Sequence, residues 1–118
     1  MTINDVKELL NAKAIAGQTH LEDEVNNACA TDDLSDVMAF AKSKMILLTG
    51  LVGTQAVRTA KMMNIRCIVF VRGKNPDDSV IQLAEEMSIV ILTTDYRMYD
   101  ACGLLYSSGL GHEEENSD

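Results

Sequence analysis

The sequence predicts an α/β fold in three layers: a mostly parallel sheet of about five strands, flanked by helices and built from repeated βα units. Three short apolar runs carry that prediction: Met45-Ile46-Leu47-Leu48, Cys67-Ile68-Val69-Phe70-Val71 and Ile89-Val90-Ile91-Leu92. Each is too short for a helix. Each also lacks the apolar–polar alternation of a half-exposed strand, so it fits a strand buried on both faces. Between the runs, apolar residues recur at helical spacing, and successive strand–helix units imply parallel strands joined by right-handed crossovers.

The elements follow in order. Thr2 and Asp5 resemble a capping box ahead of Val6, Leu9 and Leu10, which predicts a helix from about Ile3 to Asn11. Lys13-Ala14-Ile15-Ala16 reads as a short strand ending at Gly17. Val25 to Ala30 reads as a second strand, weakened by Asn26 and Asn27. Asp33 is placed to cap a helix carrying Val37, Met38 and Ala41. After the first apolar run, Thr54 can cap a helix that buries Ala56, Val57, Ala60 and Met63. After the second, Asn75 reads as an N-cap with Pro76 at the first helical position, and Asp77 and Asp78 complement the helix dipole. Val80, Ile81, Ala84 and Met87 supply its buried stripe. After the third, Met98, Ala101, Cys102 and Leu105 form a stripe that ends near Gly109, with Thr93, Thr94 and Asp95 competing for the cap.

At 118 residues the chain has room for one core, so the expected organisation is a single α/β domain over 1–110 and a disordered acidic tail over 111–118. An apolar share of 47% suffices for a packed interior without metals or disulfides. The core should be aliphatic and Met-rich, since aromatics make up only 4%, Trp is absent and Met occurs seven times. The net charge of −8 argues against nucleic acid or an anionic membrane as a partner. Cys29, Cys67 and Cys102 are odd in number and have no Cys-x-x-Cys spacing or adjacent His, so they fit neither a disulfide framework nor a zinc site. No export signal is visible, and no apolar run approaches the ~20 residues of a membrane span. A cytoplasmic protein with neither metal nor cofactor is the expectation.

In open parallel sheets, ligands bind beyond the carboxyl ends of the strands, where helix N-termini also point. That rule selects Thr49, Gly50 and Gly53; Arg72, Gly73 and Lys74; and Thr93, Thr94 and Asp95. Their cations, hydroxyls and flexible backbone suit a small anion such as a phosphate. The same residues also have a structural reading as turn and capping positions, and Gly-x-x-Gly is neither a dinucleotide fingerprint nor a P-loop. Catalysis finds less support. His20 follows a polar loop, His112 lies in the predicted tail, and Cys102 lies within a helical stripe, so no base or activated nucleophile falls at a strand end. Asp32, Asp33 and Asp36 suit helix capping better than metal binding. Tyr96, Tyr99 and Tyr106 are assigned to the last helix, where they either cover the core edge or form an interface.

From about Met1 to Leu110 the chain resembles the DRTGG domain family. The resemblance rests on the layout and on Met45-Ile46-Leu47-Leu48-Thr49-Gly50, Ile68-Val69-Phe70-Val71-Arg72-Gly73-Lys74-Asn75-Pro76 and Ile89-Val90-Ile91-Leu92-Thr93-Thr94-Asp95. Where the family has Thr-Gly-Gly after its second strand, Val71 and Arg72 replace the Thr and first Gly, while Gly73 and Pro76 remain. Where it has Gly-Asp-Arg, this chain has Gly50-Leu51-Val52. The resemblance implies a fold similar to the N-terminal domain of the bacterial HPr kinase and an accessory, non-catalytic role. It also implies a homodimer acting on another cytoplasmic protein, with no catalytic residues supplied by the motif. A sensor of a phosphorylated metabolite or nucleotide at the strand ends is the alternative.

Overall fold

The three apolar runs occupy the middle of one sheet in the computed structural model, which describes residues 1–40 and 42–112. The strands are β1 (Lys13–Ala16), β2 (Asn27–Ala30), β3 (Met45–Thr49), β4 (Cys67–Phe70) and β5 (Val90–Thr93). The helices are α1 (Ile3–Leu9), α2 (Leu34–Phe40), α3 (Thr54–Met62), α4 (Asp78–Glu86) and α5 (Met98–Ser107), with a turn of 3-10 helix at Gln18–His20. The strand order is β1-β5-β4-β3-β2. β2 to β5 run parallel, and β1 pairs antiparallel with β5 at the edge. This is the expected α/β architecture, with a single antiparallel pair.

The unbroken apolar runs are explained by the two layers of helices. Successive strand residues point to opposite faces. Ile46, Leu48, Val69, Val90 and Leu92 therefore meet Ile3, Val6 and Leu10 of the α1 segment and Ala101 and Leu105 of α5. Met45, Leu47, Ile68, Phe70 and Ile91 meet Val37, Ala56, Val57, Ala60, Val80 and Ala84 of α2, α3 and α4 on the other side. Every residue of β3, β4 and β5 is buried. No helix among the described residues is long and apolar enough to cross a membrane.

The helix ends show where local chemistry is decisive. Thr2 and Asp5 form the full capping box of α1, with reciprocal bonds of 3.1 and 2.9 Å. Asp33 accepts from the Ser35 N–H at 3.0 Å at the start of α2. Three capping expectations are corrected. α3 is capped by Gly53, with Thr54 its first helical residue. α4 is capped by Asp77, whose carboxylate accepts from Ser79 and Val80, so Asn75 and Pro76 lie before the helix. α5 begins after Arg97, leaving Thr93, Thr94 and Asp95 in the strand and the loop, and Tyr96 outside the helix. The predicted helix residue Ala41 lies outside the described residues, as does 113–118 of the predicted tail. Gly111 donates to Asn26 O at 2.9 Å, and the His112 ring stands edge-on to Tyr106 at 4.4 Å.

Candidate functional site at the carboxyl edge of the sheet

The register brings Thr49, Phe70 and Thr93 side by side across β3, β4 and β5. The three loops chosen from the sequence therefore leave the sheet at one level, and backbone bonds join them. Val71 N donates to Thr49 O at 3.2 Å, Arg72 N to Tyr96 O at 2.8 Å, and Gly73 N to Thr94 O at 2.9 Å. Arg72 and Gly73 both take left-handed backbone, with φ of 64° and 66°. That conformation is free for Gly73 and strained for Arg72.

The edge divides into two clusters on either side of this loop. In the first, Asp32 in the loop after β2 accepts from Gly50 N–H at 2.7 Å and from the Thr49 hydroxyl at 3.1 Å, and lies 3.7 Å from Arg72 Nη2. The Arg72 guanidinium rests on Gly50, where a Cβ would collide with Nη2. The Gly50 amide holds the Asp32 carboxyl below the usual carboxylate range, helped by Thr49 and by the charges of Arg72 and Lys74. The donors that suit an outside anion are thus engaged by the protein's own carboxylate. Gly53 caps α3 without a side-chain bond, and Lys74 stands exposed.

A group whose folded pKa is depressed adds stability that is present above its unfolded value, near pH 4, and is lost as pH falls through the folded value. Asp32→Asn is therefore expected to flatten the acid limb of the stability profile below about pH 4, measured by denaturant melts across pH. At neutral pH, Asp32→Ala should cost about 1 kcal/mol, because the clasp is half-exposed and screened.

The second cluster is a niche lined by Asn11, Lys13, Gly73, Asn75, Thr93 and Asp95. It contains three of the predicted site residues: Gly73, Thr93 and Asp95. Thr94 takes no part, because its hydroxyl donates to Leu10 O at 2.7 Å and ties the α1 end to the β5 end.

Sequence reasoning missed Asp32, which it placed among helix-capping carboxylates, and missed Asn11, Lys13 and Asn75 as lining residues. Asp32 was reachable: it follows a strand that runs parallel to β3, so it too lies at a carboxyl end. Asn11 and Lys13 were not, since Asn11 precedes a strand and Lys13 opens it. They reach this edge only because β1 runs antiparallel, with Lys13 opposite Thr93.

The remaining chemistry is sparse. Burial pushes the Cys67 thiol up, burial with the Asp36 charge raises Cys29, and burial raises Cys102, so none of the three is primed as a nucleophile. On α5, Tyr99 and Tyr106 are 83% and 65% exposed, and with Tyr96, Cys102, Gly103 and Leu104 they line an open groove of about 720 Å³.

An open-sheet α/β domain with a polar carboxyl edge and an exposed aromatic helix is the class these features define. The model of the DRTGG domain matches residues 5–108, and the chain belongs to that family. In fold the chain is similar to the CBS and DRTGG domains of the regulatory region of Clostridium perfringens pyrophosphatase, a structure complexed with its activator, diadenosine tetraphosphate. The TM-score is 0.71 at 15% identity, over 93% of this chain and 48% of that one, so this chain spans about half the neighbour's length. No curated protein matches the sequence.

Proposed function

We propose that the chain is a non-catalytic regulatory module that self-associates through α5 and acts on another cytoplasmic protein. The observation that carries the reading is the Tyr96–Tyr99–Tyr106 face. Large exposed aromatics beside apolar side chains favour a protein interface, where they bury much area at little entropic cost. A second copy of the chain is the occupant that the surface suits. Arg97, just before this helix, pairs with Asp100 on it at 3.1 Å, so two identical faces meet without a net like-charge clash. Gly103 has nothing within 4 Å of a Cβ position and leaves a notch in which a partner helix can approach closely. Membership in the DRTGG family and the regulatory setting of the structural neighbour support the non-catalytic part.

Sedimentation equilibrium is the test. The chain should form a dimer, and Tyr99→Ser with Tyr106→Ser should weaken it by about 30-fold or more, the scale of one lost interface hot spot. A strict monomer at high concentration would remove the dimer.

A second reading is a sensor of a phosphorylated metabolite or nucleotide at Thr49, Gly50, Gly53, Arg72 and Lys74. It is favoured by the neighbour's nucleotide activator and by the α3 N-terminus, which no side chain caps. Thermal shifts with such anions, lost in Arg72→Ala and Lys74→Ala, would support it; no shift would sink it.

A further inference from the structure

The niche beside β1 differs from the Asp32–Arg72 clasp in having polar groups with no partner. Thr93 is only 8% exposed, yet its hydroxyl makes no hydrogen bond among the described residues. Asn26 Oδ1 is the fully buried side-chain polar atom without a partner among the described residues, so the Thr93 hydroxyl is the accessible part of an otherwise buried side chain and is open to a molecule in the niche. Lys13 and Asp95 line the same niche and make no ion pair or side-chain hydrogen bond among the described residues, with each other or elsewhere. Asn11 and Asn75 add two amide groups in the same condition.

Three parts of the fold hold these groups in place. The Lys13–Thr93 pair is set by the antiparallel β1–β5 register, which puts directly opposed side chains on one face of the sheet. Asn11 takes the left-handed position after α1, with φ of 49°. Gly73, also left-handed, forms a wall in which a Cβ would lie 3.1 Å from Asp95 Oδ1. The niche encloses about 150 Å³. That is room for about five waters at ~30 Å³ each and well short of the ~300 Å³ at which drug-sized ligand sites begin. A nucleotide is too large for it.

We propose that this niche binds a small zwitterion of the free α-amino-acid class, the ligand's carboxylate facing Lys13 and its ammonium facing Asp95. Charge complementarity selects that class. A simple anion gains Lys13 but meets the Asp95 charge lining the same niche, and a simple cation gains Asp95 but meets Lys13. A zwitterion satisfies both and leaves Thr93, Asn11 and Asn75 to bond its remaining polar atoms. The site lies across the Gly73 loop from Arg72, so it stands apart from the anion-sensor reading and from the α5 interface.

Calorimetric titration of the full chain with each standard L-α-amino acid singly tests this. Inorganic phosphate and methylammonium serve as single-charge controls, and amide NMR shifts at Gly73 and Asn75 locate any binding. At least one amino acid should bind saturably and move those amides. Lys13→Met and Asp95→Asn should each weaken it by about tenfold or more, as for a lost charged hydrogen bond. Both carry their charge on open surface, so their melts should match the parent chain; Thr93→Val, of similar shape, should weaken binding too. The proposal is overturned if no amino acid binds at millimolar concentration, if binding survives both charge variants, or if phosphate alone binds as tightly as the best amino acid.

Discussion

Truncating Phe70 to alanine is expected to remove about 3–5 kcal/mol of folding stability. Phe70 is the largest fully buried side chain and packs among the residues that β4 presents to α3 and α4. Its removal loses the transfer free energy of the ring and leaves a void that the flanking strands cannot close. Against a typical total of about 5–15 kcal/mol, the loss is a third or more. Phe70 also ends β4, beneath the Arg72–Gly73 loop, and its carbonyl accepts from Thr94 N at 3.0 Å. Urea melts should therefore show a lower midpoint, and amide exchange should rise first at Val71, Gly73 and Thr94. A midpoint within error of the parent chain would refute this account of the core.

Gly17→Ala is the second large effect, at roughly 2–5 kcal/mol. Gly17 follows β1 with φ of 69°, and a methyl group there would sit 2.7 Å from Ile89 O and 2.8 Å from Val90 Cα. Left-handed backbone costs a non-glycine residue about 1–2 kcal/mol, and overpacking against backbone that cannot rotate away adds about 1–3 kcal/mol. The strain falls where β1 leaves β5, so the edge strand should loosen before the sheet centre does. Because β1 carries Lys13 to the niche, amino-acid binding should weaken along with stability in this variant. Thermal melts and titration on the same sample check both.

Much of the fold was legible because burial on both faces leaves a local trace. Met45–Thr49, Cys67–Phe70 and Val90–Thr93 announce themselves as unbroken apolar runs, and parallel pairing follows from the helices between them. Helix ends were harder to place. α1, α3 and α4 stop at Asn11, Asn64 and Ser88, each left-handed, with the next residue's N–H returning to the carbonyls of Lys7, Ala60 and Ala84 at 2.8 to 2.9 Å. That is the usual six-to-one helix stop made without glycine, so no strong signal marks it. α5 makes the same closure through Gly109, the position where the sequence reading ended that helix.

By itself the sequence determined the α/β class, the family and the three strand-end loops, because each depends on residues close together in the chain. Only the tertiary structure decided which of those loop groups are free. Arg72 and Gly50 are occupied because β2 runs beside β3 and delivers Asp32 to them. Thr93 and Asp95 gain Lys13 and Asn11 as neighbours because β1 joins the far edge of the sheet in the opposite direction. Neither pairing leaves a mark in local composition, since strand order and direction are set by how the two helical layers bury the sheet as a whole.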